Sequence, residues 1–180
     1  MNANELYKDE LRKTMFWLSQ QPKTIFIGQS VNYEGTGLYD TLNLVQKDKK
    51  LEFPVAENFQ VGHSIGMSLN GYIPISIFPR WNFLICATDQ LVNHLDKLYL
   101  MSNSEYNPKV IIRVSVGSEN PIDPQDQHKG NFSESFRKMF VNTDVIELWN
   151  LSDILKSYQF AYNRTDGKNT ILVEFSDYGK

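Results

Sequence analysis

Six short apolar segments, separated by helical patterns, constrain the fold of this chain more than any other feature of its sequence. They are rich in β-branched and aromatic residues and bounded by Gly, Pro, Asn or Lys, as strands are; they span residues 24–28, 51–56, 73–78, 109–116, 145–150 and 170–176. Several are apolar at successive positions, which indicates burial on both faces. Such strands, alternating with helices, predict a three-layer α/β/α fold with a mainly parallel six-stranded sheet.

Helical periodicity covers four regions, which are residues 5–20, 58–70, 83–101 and 151–163. The first places Leu11, Met15 and Leu18 on one face and charged residues on the other, as in a surface helix packed on a core. A chain of 180 residues suits one domain of ordinary size. We therefore predict a single domain spanning residues 1–180.

Composition and charge indicate which kinds of molecule this chain is not expected to bind and where it is expected to reside. The net charge of −3 and the sequence pI near 5.6 give no basic surface for nucleic acid. No stretch approaches 18 apolar residues and the first residues are polar, so we expect no membrane segment and no signal peptide, and a cytoplasmic location. Cys86 is the one cysteine, which excludes an internal disulfide, and its apolar neighbours predict that it is buried.

Glu57 is the most informative single residue, because it lies between the second predicted strand and the helix that follows it. Ligands of open parallel sheets bind at the carboxyl ends of strands, which makes this a candidate site. The alternative is a helix N-terminal acid stabilised by the dipole, worth a few tenths of a kcal/mol. The same helix carries Gly62 and Gly66 four residues apart, so another backbone or subunit can approach one of its faces closely.

Two motifs with defined spacing give the chain a recognisable pattern. An acid precedes V-G-x-x-I-G spacing at Glu57 and residues 61–66, and an aromatic residue, Phe83, lies six residues before D-Q-L-V-N at residues 89–93. In this order the motifs resemble the pyrimidine-binding domain of thiamine diphosphate enzymes. The similarity is to the N-terminal half of 2-oxo acid dehydrogenase E1 β subunits and, more distantly, to the central domain of transketolase, and it covers nearly the whole chain.

The resemblance implies a role for the opening acid. In that family the matching acid hydrogen-bonds a ring nitrogen of the cofactor's aminopyrimidine and promotes the imino tautomer, so Glu57 is the expected catalytic acid. Phe83 matches the aromatic residue that lies against the pyrimidine ring, with plain core packing as its alternative. Gln29 occupies a cofactor-side position where the family has an acid in G-E-D-V, which puts in doubt a carboxylate relay between paired active sites.

The histidines match the family less well. His128 aligns, with one extra residue, with the histidine of an H-S-Q-S stretch, which implies a substrate-side proton donor; the alternative is an exposed loop histidine. His63 and His94 are expected to be structural, and no histidines have the spacing of zinc ligands. The loop at residues 117–132 departs from the family pattern and is expected to be mobile.

The family's diphosphate-binding motif, G-D-G with a downstream asparagine, is missing from this chain, and the Asp-Gly of residues 165–170 has the composition of a turn. The resemblance therefore implies a separate α-type subunit that holds Mg²⁺ and the diphosphate, in a dimer or α2β2 heterotetramer. The implied reaction cleaves or forms a carbon–carbon bond next to the carbonyl of a 2-oxo acid or ketose. Two alternatives stay open: a non-catalytic scaffold or regulatory homologue, and an α/β domain that binds another small ligand at the same strand ends.

Overall fold

A computed structural model describes residues 2–119 and 123–175. Its six strands form one sheet in the order β2-β1-β3-β4-β6-β5, with every neighbouring pair parallel. The strands are β1 Thr24–Gly28, β2 Lys50–Glu52, β3 Ile73–Phe78, β4 Ile111–Val116, β5 Thr143–Glu147 and β6 Asn169–Phe175. The predicted α/β class and the predicted parallel sheet are confirmed.

The second strand is shorter than predicted and ends at Glu52 instead of residue 56. The Phe53 amide still donates to Gly28 O at 2.8 Å, but Pro54 has no N–H with which to continue the ladder. The chain therefore leaves the sheet here and turns into the next helix at Glu57.

Seven α-helices lie among the described residues: α1 Ala3–Ser19, α2 Gly37–Thr41, α3 Glu57–Leu69, α4 Trp81–Leu84, α5 Leu98–Met101, α6 Ser133–Met139 and α7 Ile154–Asn163. The prediction of one continuous helix over residues 83–101 is wrong. That region contains α4, a 3₁₀ turn, a π-helical segment at Gln90–Leu95 and α5. Its apolar spacing still gives the packing correctly, because Leu84, Leu91 and Leu95 are buried.

Helices on both faces of the sheet enclose two apolar clusters. On one face, Leu11, Met15 and Leu18 of α1 pack in the cluster that contains Phe26 and Ile75, as the sequence predicts. The cluster on the other face contains residues of α3, α4 and the π-helical segment with β4 and β6; its largest side chain is that of Trp81, which is fully buried. The sheet thus lies between two helical layers.

A buried polar network joins the central strands. Arg113 on β4 donates to both carboxylate oxygens of Glu174 on β6, at 2.6 and 2.9 Å, and to Thr41 of α2 at 2.9 Å. The Tyr158 hydroxyl of α7 donates to the same carboxylate at 2.9 Å, and burial raises the pKa of that hydroxyl well above its usual range. Four elements are therefore joined around the middle of β4 and the carboxyl end of β6.

One burial prediction is wrong, because Cys86 is exposed. It lies in the 3₁₀ turn Ile85–Ala87, where Leu84 and Ala87 point into the core and the two residues between them face outward. Within the described part of the chain, no helix is both long and apolar enough to cross a membrane.

Candidate functional site

Glu57 is the first residue of α3 and is only 9% exposed, although its helix has no side-chain cap. The start of α3 is held against the sheet by Gln60, whose side-chain amide donates to Ser76 Oγ at 3.0 Å and to Ile77 O at 3.1 Å. These bonds attach α3 to the carboxyl end of β3. They fix the Glu57 carboxylate above the edge of the sheet where ligands of such folds bind.

Gln29 is the described residue whose side chain hydrogen-bonds the Glu57 carboxylate. Its Nε2 donates to Glu57 Oε1 at 3.2 Å. Gln29 directly follows Gly28, where an added Cβ would lie 2.5 Å from Ile77 O, so glycine is needed for the close approach of β1 and β3. Two residues from separate strand ends, both selected from the sequence, therefore meet in one hydrogen bond.

Phe83 and His128 form a second pair. Phe83 lies in α4, His128 ends the 3₁₀ turn Asp126–His128, and their rings pack edge to face with centroids 5.3 Å apart. Arg80 Nη1 donates to His128 O at 3.5 Å, a long bond, and His128 Nδ1 is buried with no hydrogen-bond partner among the described residues. The structure thus brings together two residues that sequence spacing could only propose separately; among the described residues, no hydrogen bond or ring pair joins them to Glu57.

A pocket of about 370 Å³ opens at the carboxyl ends of β3 and β4. Three cationic side chains line it, from Lys8, Arg80 and Arg113, and we refer to it as the cationic pocket. Glu174 is the acid among its lining residues, and both of its carboxylate oxygens already accept bonds from Arg113. The lining therefore carries an excess of positive charge, which suits an anionic ligand.

Sequence reasoning missed this pocket. Lys8 lies on α1, Arg80 follows β3 and Arg113 lies within β4, so more than 100 residues separate the first from the last. Lys8 follows the ordinary polar pattern of an amphipathic helix. Arg113 was the detectable signal, since a charged residue inside an apolar strand demands a partner.

The other histidines lie outside these pairs. His63 is exposed on α3 and packs beside the rings of Phe53 and Phe59, with centroids 5.1 and 5.7 Å away. His94 Nε2 lies 3.6 Å from Asp89 on an exposed surface. Among the residues at 2–119 and 123–175, no group of three or more His, Cys, Asp and Glu side chains is placed to hold a metal ion.

A groove of about 660 Å³ follows α3 along Gly62 and Gly66, and Gln90 forms part of its lining. A Cβ added at Gly62 would lie 3.2 Å from Gln90 Oε1, whereas at Gly66 it would meet nothing within 4 Å. The space left by Gly62 is therefore used within the chain. The space beside Gly66 is open.

Comparisons with known proteins place the chain among relatives. No family model matches it. It is 26% identical over 99 residues to the pyruvate dehydrogenase E1 component subunit beta of Staurastrum punctulatum, covering 53% of this chain and 30% of that subunit. It is 27% identical over 103 residues to the 3-methyl-2-oxobutanoate dehydrogenase subunit beta of Mycobacterium tuberculosis H37Rv, and the match covers 54% of this chain and 29% of that subunit.

Solved structures share the fold. A split-gene transketolase, named as an inactive β4 tetramer, superposes with a TM-score of 0.75 at 14% identity over 100% of this chain and 53% of its own. Transketolase from Campylobacter jejuni superposes with a TM-score of 0.72 at 14% identity, and the match covers 96% of this chain and 26% of the transketolase chain. The match spans about a third of the length of these curated relatives. The similarity to E1 β subunits, together with the fold shared with transketolase, confirms the predicted resemblance.

Proposed function

We propose that this chain is the pyrimidine-binding subunit of a two-chain thiamine diphosphate enzyme, which cleaves or forms a carbon–carbon bond next to the carbonyl of a 2-oxo acid or ketose. One observation carries the proposal: a nearly buried carboxylate, Glu57, at the carboxyl edge of the sheet, where folds of this kind bind their ligands. Similarity to dehydrogenase β subunits supports an enzyme subunit over a non-catalytic homologue.

The residues present fit the pyrimidine half of that cofactor. Gln29 contacts Oε1 of Glu57, and no described side chain donates to Oε2, so one carboxylate oxygen remains for a ring nitrogen. Phe83 is half-buried and is contacted by His128 in an edge-to-face geometry. The Glu57 carboxylate can hydrogen-bond a nitrogen heterocycle, and the Phe83 ring can pack against a flat ring of that kind.

Thiamine diphosphate, when bound, would supply a nucleophilic carbon and a positively charged thiazolium ring that takes up the negative charge released from the substrate. In this proposal Glu57 holds or shares a proton with the pyrimidine ring, and the helix start keeps it in place. Gln29 orients the carboxylate by donating to Oε1. A neutral amide cannot accept a proton from Glu57, so a relay of carboxylates does not pass through residue 29.

The cationic pocket suits the substrate's carboxylate in the same proposal. Lys8 and Arg80 offer N–H donors to an oxyanion, and Ser118 adds a hydroxyl. Lys8→Ala in the assembled enzyme is therefore expected to raise KM for a 2-oxo acid by about tenfold or more. Lys13→Ala is the matched control, since Lys13 lies on the same helix but pairs with Asp9 at the surface; equal KM changes in both variants would contradict the assignment.

The diphosphate and its Mg²⁺ belong to a partner chain of the α type, with the cofactor bridging the two chains, in a cytoplasmic heterotetramer. This is supported by the missing G-D-G motif and by relatives that are named as β subunits. The neighbouring fold named as an inactive β4 tetramer fits a β-type chain that self-associates and needs its partner for activity.

Calorimetry tests the two-chain reading directly. We expect the 180-residue chain with Mg²⁺ to bind thiamine diphosphate weakly or not at all, and to gain tight binding when it is assembled with the α-type chain. Micromolar affinity of the isolated chain would overturn the division of the site between two chains. Absence of binding by the assembled pair would overturn the cofactor assignment itself.

A further inference from the structure

Glu52, the last residue of β2, has a carboxylate surrounded by main-chain donors. Ser30 N donates to Oε1 at 2.6 Å, and Val31 N and Asn32 N donate to Oε2 at 3.0 and 2.9 Å. Three consecutive amides of the turn after β1 therefore converge on one side chain from the neighbouring strand. Such a ring of main-chain N–H groups is a binding site for an anion, and here the anion belongs to the protein.

The backbone of this turn needs the carboxylate. Ser30 has a φ of +60°, a conformation that non-glycine residues rarely adopt and that persists only where surrounding contacts impose it. The Asn32 side chain adds a second attachment, because its Nδ2 donates to Lys50 O at 3.2 Å. The turn is thus fixed to β2 by four hydrogen bonds.

Gln29 lies between two fixed points. On one side, Gly28 is held in the sheet, where it is in register with Glu52 on β2 and Ile77 on β3. On the other side, Ser30 is held by the Glu52 carboxylate. The direction in which the Gln29 side chain leaves the backbone is therefore set from both sides, and it is the direction that reaches Glu57 Oε1.

We propose that Glu52 is a positioning residue for the candidate site: its charge holds the turn at residues 29–32 so that the Gln29 amide stays on the Glu57 carboxylate. The inference has two parts. That the Gln29–Glu57 pair belongs to the cofactor site rests on the proposed function. That Glu52 holds the turn and thereby Gln29 rests only on the hydrogen bonds within this chain. A purely local role, in which Glu52 anchors the turn without affecting Gln29, is the competing explanation.

NMR of the full chain tests the structural part. In the wild-type chain the backbone amide protons of residues 30–32 should exchange slowly with solvent, because each of them donates to the Glu52 carboxylate. Glu52→Gln should speed hydrogen exchange of these amides by about tenfold or more. Glu34→Gln is the matched control, because Glu34 is an exposed acid in the same loop, and it should leave the exchange of these amides unchanged.

The side-chain amide resonances of Gln29 decide between the two explanations. They should move in Glu52→Gln and stay unchanged in Glu34→Gln. Unmoved Gln29 resonances, with altered backbone amides, would overturn the positioning role and leave Glu52 as a turn anchor. If Glu52→Gln fails to fold, hydrogen exchange of the wild-type chain still decides, because amides of residues 30–32 that exchange as fast as free loop amides would refute their hydrogen bonds to Glu52.

Kinetics of the assembled enzyme tests the functional part. Glu52→Gln should lower kcat by about tenfold or more while KM for the substrate changes less than about twofold, since the substrate's own contacts remain. An unchanged kcat would overturn the positioning role. If instead the wild-type assembly neither binds the cofactor nor turns over, the proposed function fails, while the NMR outcome for Glu52 and Gln29 still stands or falls separately.

Discussion

Glu57→Gln separates a catalytic acid from a structural one. The substitution keeps the size of the side chain and an oxygen that can still accept from Gln29 Nε2, now at 3.2 Å. It removes the charge at the start of α3, worth about 0.3–1 kcal/mol, and turns a charge-assisted hydrogen bond into a neutral one, a loss of about 1 kcal/mol. The free energy of unfolding should therefore fall by about 1–2 kcal/mol, which lowers the thermal midpoint by about 2–8 °C in a chain of this size.

Catalysis should respond far more strongly than stability. Losing a positioned acid–base group typically costs about 10²–10⁴ in rate. The assay is hydrogen–deuterium exchange at the thiazolium carbon of added thiamine diphosphate in the assembled two-chain enzyme, together with turnover, and both should fall at least about a hundredfold.

Glu5→Gln is the matched control, because Glu5 is a first-turn acid in the capping box of α1. It should lower the thermal midpoint by a similar or smaller amount and leave exchange unchanged. If Glu57→Gln likewise lowers only stability while exchange at the thiazolium carbon stays at the wild-type rate, Glu57 is a helix-terminal acid and the reasoning is refuted.

Three further expectations follow from other parts of the structure. Gly66→Leu should leave the fold intact, since a Cβ there meets nothing within 4 Å, but it should reduce association with other chains, as measured by light scattering. Ser135→Leu, at an exposed position on α6, is the control, and equal effects of the two substitutions would contradict a role for the groove along α3. Phe83→Leu should weaken cofactor binding by the assembled enzyme about three- to tenfold in calorimetry, and an unchanged affinity would make Phe83 plain core. The hydrogen bond from Arg164 lowers the pKa of Asp166 to about 2. The stabilisation of the folded chain by the Asp166 carboxylate is therefore present above pH 4 and is lost as the pH falls towards 2. In urea unfolding, Asp166→Asn should be less stable than wild type by about 0.5–1 kcal/mol at neutral pH and no different near pH 2.

The sequence predicted well where local chemistry decides the structure. The bounds of β1 and β3 are as predicted, because Gly28 ends the first apolar run and Pro79 directly follows the second. The bounds of β2 were predicted wrongly, because Pro54 lies inside an apolar run. Only the hydrogen bonds between strands in the folded chain show where pairing stops. In the region 83–101, apolar spacing predicted which side chains are buried but not that the backbone changes between α, 3₁₀ and π geometry.

The candidate site divides in the same way. Glu57, Gln29, Phe83 and His128 could be selected by motif, and the structure adds which of them touch. Their catalytic and cofactor-binding roles stay predictions. Arg113 was a sequence signal for part of the cationic pocket, but the pocket as a whole and the amides around the Glu52 carboxylate depend on residues from different elements that meet only in the folded chain.

The shortness of β2 also affects how this protein avoids aggregation. An outer strand exposes unpaired backbone groups to which a strand of another molecule can add. Here that edge is three residues long, carries charged Lys50 and Glu52, and is followed by Pro54, which cannot donate to an incoming strand. Copies of the chain are thus discouraged from joining their sheets at this edge.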